Sequence, residues 1–362
     1  MLLTCFQEVG LNKIKMNKLL AVFFMIAILP CAASAQEIFL DKLTKGTTSQ
    51  THNFYEKIYD DQGNYASIPV SIIKGKNTGP VFTIVSGVHG FEYPPIIAAQ
   101  ELIQEIDPTL LSGTIVIVPM ANPNSFYSRT PFLNPKDKLN LNRTFPGNKN
   151  GSITERIADY ITTTIIASTE VFLDIHGGDA NEDLLPFICY YDNQSQPKQT
   201  QQVKLLTEAS GFEYIVSYPY TLKDDQVAKY AFKQAVQDGK VALSIEAGKL
   251  GNVQKEAVNL IKDGVYNMLA EMKMYTAKQI QNGPAIKLNN QAYIRSEYKG
   301  IFESDYRAGD QVTKGAVVGS VKDEFGNVLS EITAPTSGVI LYKIGTPPVN
   351  TDETLMCIGY TS

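Results

Sequence analysis

The 362-residue chain contains no tryptophan, only four cysteines and three histidines, and no apolar run long enough to cross a membrane after residue 35. Four cysteines are too few for a disulfide-dense miniprotein, and a chain of this length can fold without such staples. The net charge of −5 argues against nucleic acid as a partner, because phosphate binding requires a basic surface. Any imidazole-based site must draw on His52, His89 and His176.

The first 35 residues have the pattern of an export signal. Lys18 supplies a short positive region, Leu19–Leu29 form an apolar core of 11 residues, and Ala33-Ser34-Ala35 is a small-x-small cleavage motif. Such a short core cannot span a bilayer. We therefore expect cleavage between Ala35 and Gln36, no membrane span, and an exported, periplasmic product.

The four cysteines divide at the predicted cleavage site. Cys189 and Cys357 remain in the mature chain, in apolar strand-like runs of different candidate domains, so we expect buried free thiols rather than a disulfide. Cys31 offers an alternative interpretation of the N-terminus, a lipid anchor, which Pro30 immediately before it disfavours.

Between about residues 80 and 275, apolar strand-like runs alternate with amphipathic helical runs. The predicted strands are Val81–Ser86, Thr114–Met120, Val171–Ile175, Pro186–Tyr191, Tyr214–Ser217 and Val241–Glu246. The predicted helices are Pro95–Glu105, Ile153–Ala167, Gln201–Ser210, Asp225–Gln237 and Val253–Tyr275. The alternation predicts an α/β domain with a mostly parallel mixed sheet covered by helices, which binds ligands at the carboxyl ends of its strands.

After Asn282-Gly283-Pro284 the pattern changes to short β runs separated by turns, which favours a small all-β barrel or sandwich module. The predicted organisation is a cleaved signal at 1–35, an α/β domain at 36–280 and an all-β module at 284–362. The segment 121–150 lacks periodicity and is rich in Asn, Pro and basic residues, which is typical of a functional loop.

Two histidines, His89 and His176, each follow an apolar predicted strand and stand next to glycine. Glu92 lies three residues after His89, so one helical turn would direct both side chains toward one point. Two imidazoles and one carboxylate form a recurrent ligand set of catalytic zinc that leaves a position for water. The alternative for each histidine is an ordinary hydrogen-bonded turn residue, and His52 lies outside any such pattern.

Further candidates for catalysis are one carboxylate and two arginines. Glu246 closes an apolar strand; beside a metal-activated water it would act as general base and then acid, and otherwise it would be a salt-bridged strand end. In the 121–150 loop, Arg143 of the Asn142-Arg143 pair could grip a substrate carboxylate bidentately. Arg129 could do the same or stabilise an oxyanion, and either arginine could instead pin the loop.

Together these motifs resemble the succinylglutamate desuccinylase/aspartoacylase family, a branch of the zinc carboxypeptidase superfamily. In chain order they are Gly87-x-His89-Gly90-x-Glu92, Leu141-Asn142-Arg143-x-Phe145-Pro146-Gly147, Asp174-x-His176-Gly177-Gly178 and Glu246-Ala247-Gly248. One motif alone is unspecific, whereas four in this order are specific. The match runs from about residue 80 to residue 362.

The resemblance implies a zinc carboxypeptidase-like fold and one zinc ion per chain, held by His89, Glu92 and His176. It makes Glu246 the catalytic glutamate, which takes a proton from the attacking water and returns it to the leaving amine.

The resemblance also implies substrate-binding residues. Asn142 and Arg143 would hold a substrate carboxylate, and Arg129 would stabilise the oxyanion. A mobile tyrosine often covers the site in this superfamily, for which Tyr218 and Tyr220 are the candidates.

The C-terminal module is similar to the biotinyl/lipoyl-type hammerhead barrel. A carrier of this type presents a lysine at a hairpin tip, but no lysine lies between Phe325 and Leu341. Glu271-Met272-Lys273-Met274 imitates a biotin-attachment signature, yet it ends a predicted helix outside the module. We therefore expect no attached cofactor.

The expected function is that of a zinc-dependent hydrolase cleaving an amide or ester bond of an N-acyl amino acid or related small carboxylate-bearing substrate. One alternative is a metallocarboxypeptidase acting on short peptides, such as cell-wall peptides, which the expected export favours. The other is a catalytically silent binding protein on the same scaffold, against which the intact ligand set and Glu246 argue. A homo-oligomer is compatible with the sequence.

Overall fold

A computed structural model describes residues 35–45, 48–223, 225–276 and 283–361. The predicted export signal therefore lies outside the described residues, except for Ala35, which begins the first helix. Within these ranges, no helix combines the length and apolarity that a membrane crossing requires.

Strands and helices are interspersed up to residue 271, and only strands follow among the described residues thereafter. The helices are α1 (Ala35–Lys45), α2 (Tyr93–Glu105), α3 (Pro123–Ser128), α4 (Ile153–Tyr160), α5 (Pro197–Ala209), α6 (Ala231–Gln237) and α7 (Lys255–Glu271). The strands before α7 are β1 (Gln50–Tyr59), β2 (Tyr65–Lys74), β3 (Asn77–Ser86), β4 (Ser112–Val118), β5 (Val171–His176), β6 (Glu182–Leu184), β7 (Phe187–Asp192), β8 (Tyr214–Pro219) and β9 (Val241–Glu246). Those after α7 are β10 (Ile286–Leu288), β11 (Asn290–Arg295), β12 (Gly300–Glu303), β13 (Gln311–Val312), β14 (Val317–Lys322), β15 (Val328–Thr333), β16 (Gly338–Ile344), β17 (Pro348–Val349) and β18 (Thr354–Tyr360).

A large mixed sheet has the strand order β1-β2-β4-β3-β5-β9-β7-β8-β10. Its centre consists of the parallel neighbours β4, β3, β5 and β9. β7 runs antiparallel to β9, and the β1–β2 hairpin adds an antiparallel edge beside β4. β5 is buried along its whole length, which explains its apolar sequence. The predicted fold class is confirmed, although the β1–β2 hairpin was not among the predicted strands.

Helices cover both faces of this sheet. The apolar residues of α2, α5 and α7 form one core with one face of the strands, and those of α4 and α6 form a second core on the other face. Successive residues of β5 alternate between them: Phe172 belongs to the second core and Leu173 to the first, as the period of two in a strand requires.

The predicted helix at 153–167 changes character halfway. It is α-helical to Tyr160 and continues as a π-helical turn over Ile161–Ile166. This turn contains three consecutive threonines, and the Thr163 hydroxyl donates to the Asp159 carbonyl at 2.8 Å. Side-chain hydroxyls that bond to a carbonyl of the preceding turn compete with the regular backbone hydrogen bonds of an α-helix. β-branched residues such as threonine and isoleucine also fit an α-helix less well.

The predicted helix at 225–237 is helical only from Ala231. The residues before it are tied to the 121–150 loop instead, because the backbones of Lys229 and Phe145 exchange hydrogen bonds of 3.0 and 3.3 Å. This long-range pairing places the start of α6 beside the loop that carries Asn142 and Arg143.

The predicted β runs at the C-terminus are confirmed, and they form antiparallel sheets. One has the order β11-β18-β16-β13, and the other β15-β14-β12-β17. β6, which precedes α5 in the chain, pairs with β16, while β10 pairs with β8 in the large sheet. The division into 36–280 and 284–362 stays a prediction about folding units.

Glu56, on β1, provides a test of this packing. The residue is only 3% exposed, and none of the described residues hydrogen-bonds its Oε1. Burial raises the pKa of Glu56 to about 7, with Lys42 opposing the shift. Because the folded state binds the proton more tightly than the unfolded chain, stability should fall as the pH rises from about 4.5 to about 7.

We expect Glu56→Gln to raise the free energy of unfolding at pH 8 by about 1 kcal/mol and to leave it unchanged or lower at pH 4.5. Urea unfolding at both pH values measures this, with the exposed Glu297→Gln as the control. An equal effect of Glu56→Gln at both pH values would contradict the packing described for this carboxyl.

Candidate metal centre and active site

The carboxyl ends of the parallel strands bring the motif residues to one edge of the sheet. His176 is the last residue of β5 and lies directly opposite Glu246, the last residue of β9, in the strand register. His89 comes three residues after the end of β3, on the other side of β5. The arrangement follows from the parallel register, since neighbouring parallel strands end at the same edge.

Glycines shape the turns that follow these strands. Gly87 has a φ of +66°, a conformation that disfavours other residues. A Cβ at Gly177 would lie 2.4 Å from the Ala247 carbonyl oxygen, so only glycine allows the turns after β5 and β9 to approach this closely. Both glycines therefore allow the tight backbone turns that position the site residues.

Glu92 joins the two histidines. Its Oε1 lies 2.5 Å from His89 Nδ1, and its Oε2 lies 2.9 Å from His176 Nδ1. All three residues are buried, and their potential ligand atoms lie within 4.8 Å of one another. The set predicted as metal ligands is therefore assembled in space, and it is the one such cluster found among the described residues.

The ionisation of this cluster is strongly coupled. Burial would raise the pKa of Glu92, but His89 and His176 outweigh it and hold the pKa at about 2. Burial would lower the pKa of His176, but Asp174 and Glu92 raise it well above its usual value. Asp174 Oδ2 lies 3.1 Å from His176 Nε2, so this imidazole contacts a carboxylate on either side.

The donor set fits a divalent cation of the zinc type. Two imidazoles and a carboxylate match its ligand preferences, and an outer carboxylate such as Asp174 is the usual second partner of a metal-binding histidine. Burial raises the pKa of Glu246 to about 8, an effect that His176 opposes and Glu92 and Asp174 reinforce. The positive charge of a bound cation would compensate the negative charge of these buried carboxylates.

Asn142 and Arg143 lie on the same cavity as the cluster. The Asn142 side chain accepts a hydrogen bond from the Ala231 N–H at 3.3 Å, which fixes the loop to the start of α6. Arg143 donates from Nη1 to the Asn142 carbonyl at 2.6 Å, and its guanidinium lies 4.7 Å from the Tyr230 ring centre. The Arg143 guanidinium is therefore held by the Tyr230 ring and the Asn142 carbonyl rather than by a carboxylate.

Arg129 is placed differently. It follows α3 with a φ of +52°, its side chain is exposed, and it does not line the cavity. The same loop reaches the site through Phe132, whose ring meets the His89 ring edge-on at 5.4 Å. The oxyanion role of Arg129 stays a prediction.

The cavity has a volume of about 470 Å³. It is lined by Glu246, Tyr218, the metal-type cluster, and Tyr293, Leu341, Tyr342 and Cys357 from the C-terminal strands. Of the two candidate tyrosines, Tyr218 lines this cavity and Tyr220 does not, although both rings pack against Tyr191, at 5.9 and 5.8 Å. A larger cavity of about 580 Å³ lies near the amino ends of β5 and β9 and contains none of the predicted site residues.

Several groups that line this cavity were not predicted from the sequence. They include the charged residues Glu182 and Lys233, and Tyr293, Leu341, Tyr342 and Cys357 from the C-terminal strands. No local pattern marks them, because β6 and α6 reach the site only through tertiary pairing. The prediction of two free, buried thiols at Cys189 and Cys357 is confirmed.

Comparison with known proteins agrees with this geometry. Residues 78–272 match the succinylglutamate desuccinylase/aspartoacylase catalytic domain. The N-alpha-acetyl-L-2,4-diaminobutyric acid deacetylase of Halomonas elongata is 32% identical over 301 residues, which cover 81% of this chain and 85% of that protein. The chain belongs to the succinylglutamate desuccinylase/aspartoacylase family. The resemblance drawn from the four motifs is thereby confirmed, as is the assignment to a family of hydrolases that deacylate amino acids.

Solved structures support the same fold. The product-bound ectoine utilization protein EutE (DoeB) of Ruegeria pomeroyi superposes with a TM-score of 0.78 at 24% identity, over 87% of this chain and 97% of that one. A succinylglutamate desuccinylase/aspartoacylase of Rhodobacter sphaeroides gives 0.75 at 22% identity, over 86% and 96%. The likeness extends over the C-terminal strands as well as the large sheet.

The cluster predicts how metal binding responds to mutation. We expect the wild-type protein to retain about one zinc per chain after dialysis, and His176→Ala to retain less than about a tenth of that, because one of three ligands is lost. His52→Ala is the matched control, since His52 lies on β1 away from the cluster. Elemental analysis of the dialysed proteins gives the result, and full retention by His176→Ala would contradict the ligand set.

Proposed function

We propose that the protein is a zinc-dependent deacylase that hydrolyses the amide bond of an N-acyl amino acid or a related carboxylate-bearing molecule. The observation that carries this proposal is the position of Glu246, directly across the strand register from His176 and on the same cavity as Arg143. Membership of a deacylase family supports the reaction class.

His89, Glu92 and His176 are the residues that would hold the zinc. When bound there, zinc would supply Lewis-acid activation of a water molecule and of the scissile carbonyl. Asp174 Oδ2 lies 3.1 Å from His176 Nε2, which is the position from which an outer carboxylate would orient a metal-binding imidazole.

Glu246 is the proposed general base and acid. Its carboxyl accepts the proton of the attacking water and then returns it to the nitrogen of the leaving amine. Burial raises the pKa of Glu246 in the absence of a metal, and the positive charge of a bound cation would favour the ionised carboxylate that a general base requires. The products are an amino acid and a carboxylic acid.

Asn142 and Arg143 are the proposed substrate-binding pair. Arg143 makes no ion pair with any described carboxylate, so its guanidinium is available for a substrate carboxylate. Arg129 is the proposed oxyanion stabiliser, a role that requires its exposed side chain to turn toward the cavity.

Export is proposed from the sequence pattern alone. Cleavage after Ala35 would release a chain beginning with Gln36. N-terminal sequencing of protein from a periplasmic fraction tests this, and recovery of uncleaved protein in the cytoplasm would refute it.

The role of Glu246 leads to a direct mutational test. We expect Glu246→Gln to keep its zinc but to lose at least about 1,000-fold in kcat, because the amide cannot accept the proton of water. Activity on a panel of N-acetyl amino acids and short peptides measures this and also separates a deacylase from a carboxypeptidase. Near-wild-type turnover by Glu246→Gln with full zinc content would exclude the base assignment.

Arg143 gives a second test. Arg143→Lys keeps the positive charge but loses the two-pronged hydrogen bond, so we expect KM to rise about 10-fold or more with little change in kcat. A fall in kcat at unchanged KM would instead mean that this arginine acts on the reacting carbonyl.

A further inference from the structure

The cavity extends well beyond the metal-type cluster. It reaches from His176, at the end of β5, to Tyr218 on β8, and β9 and β7 lie between these two strands. At the usual spacing of neighbouring strands, β8 lies about 14 Å from β5. In an N-acetyl amino acid, only two atoms separate the scissile carbonyl carbon from the carboxylate carbon. Such a molecule with a short side chain would leave the far part of this 470 Å³ cavity unfilled.

The far part of the cavity is lined by aromatic rings. Tyr191 of β7 stacks on Phe232 of α6 with ring centres 4.5 Å apart, and it lies 5.9 Å from the ring centre of Tyr218. Tyr293 lines the cavity from β11, a strand that contacts β8. We call these four residues the aromatic wall. Aromatic rings pack well against other rings in offset or edge-on contacts, so this wall favours an aromatic group as its ligand.

Polar atoms beside the aromatic wall are bonded to the protein itself. The Tyr293 hydroxyl hydrogen-bonds the thiol of Cys357, its direct neighbour on β18, and the Cys189 thiol bonds to Ser244, its neighbour on β9. Burial raises the pKa of Cys357 to about 12 and that of Cys189 well above its usual value. Both thiols therefore stay uncharged and present small apolar groups to the cavity.

Two further charged residues line the cavity, and neither opposes an aromatic ligand. Burial, reinforced by Asp179, raises the pKa of Glu182 to about 8, so this carboxyl is mostly neutral at pH 7. Lys233 Nζ lies 5.1 Å from the ring centre of Tyr191, a cation–π contact that is compatible with further rings nearby.

The positions of Arg143 and Glu246 indicate which part of a substrate meets the aromatic wall. Arg143 would hold the carboxylate, and its guanidinium lies 4.7 Å from the ring centre of Tyr230, two residues before Phe232. Glu246 would protonate the leaving amine. The side chain of an amino acid is attached to the same carbon as its carboxylate and its amine. It is therefore the part of the substrate that extends from these two residues toward the wall.

We propose that the aromatic wall binds the side chain of the substrate amino acid, so that the protein prefers N-acyl amino acids with an aromatic side chain. This specificity rests on the proposed deacylase function. It names the amine half of the substrate, because the wall lies on the side of Glu246 that faces away from β5.

The test compares N-acetyl-L-phenylalanine with N-acetyl-L-alanine and N-acetyl-L-cyclohexylalanine. We expect the zinc-loaded wild type to favour phenylalanine over alanine by about 30-fold or more in kcat/KM, as burial of one phenyl group allows. Cyclohexylalanine has the same size but no aromatic ring, so it should be about 3-fold poorer than phenylalanine or worse.

Two variants alter the wall in different ways. Cys357→Phe fills the far end of the cavity and should abolish the preference for phenylalanine over alanine. Tyr191→Leu keeps most of the volume but removes one ring, and it should lower the preference about 3- to 10-fold. The matched controls are Val328→Phe, which adds similar bulk at an exposed site on β15, and Tyr127→Leu, which removes an exposed ring on α3. Both controls should keep the wild-type rates.

Two results would overturn the proposal. One is equal turnover of phenylalanine and alanine by the wild type, or of phenylalanine and cyclohexylalanine. The other is a preference that survives unchanged in Tyr191→Leu.

A binding experiment separates this proposal from the deacylase function. Thermal melting with L-phenylalanine or L-alanine requires no turnover, and phenylalanine should stabilise the wild type more than alanine does, with no such difference in Cys357→Phe. If no acetyl amino acid is hydrolysed but this difference is found, the deacylase function fails and the aromatic site stands. Hydrolysis without discrimination between the side chains refutes the aromatic site alone.

Discussion

One carboxylate, that of Glu92, holds the site together. Its two oxygens reach His89 and His176, which come from the ends of two neighbouring strands. A buried carboxylate is costly unless its charge is compensated. The paired imidazoles provide that compensation, and they can do so only if β3 and β5 end at the same edge, so the sheet register and the chemistry depend on each other.

The rest of the cavity is assembled from distant parts of the chain. The loop with Asn142 and Arg143 is fixed by its contacts with Lys229 and Ala231, just before and at the start of α6. Part of the cavity wall comes from the C-terminal strands, which are joined to the earlier part of the chain by the pairing of β6 with β16. These strands therefore contribute to the cavity as well as to their own sheets.

The sequence carries enough information to predict the centre of the sheet and the ligand cluster. β5 and β9 are predominantly apolar runs, and each ends in a polar residue, His176 and Glu246 respectively. The π-helical turn after α4 and the late start of α6 could not be predicted, because each depends on local hydroxyl bonds or on pairing with a distant loop. Lys233 was missed for the same reason: on a short helix, a lysine is ordinarily a surface residue, and only the tertiary structure turns it toward the cavity.

We propose that a metal ion binds at the point where Glu92 bridges the two histidines. The most direct measurement is an anomalous difference map from crystals of the zinc-loaded protein, recorded on both sides of the zinc absorption edge. We expect one strong peak per chain, coordinated by His89, Glu92 and His176. A peak bound by other residues, or none in protein that contains stoichiometric zinc, would contradict it.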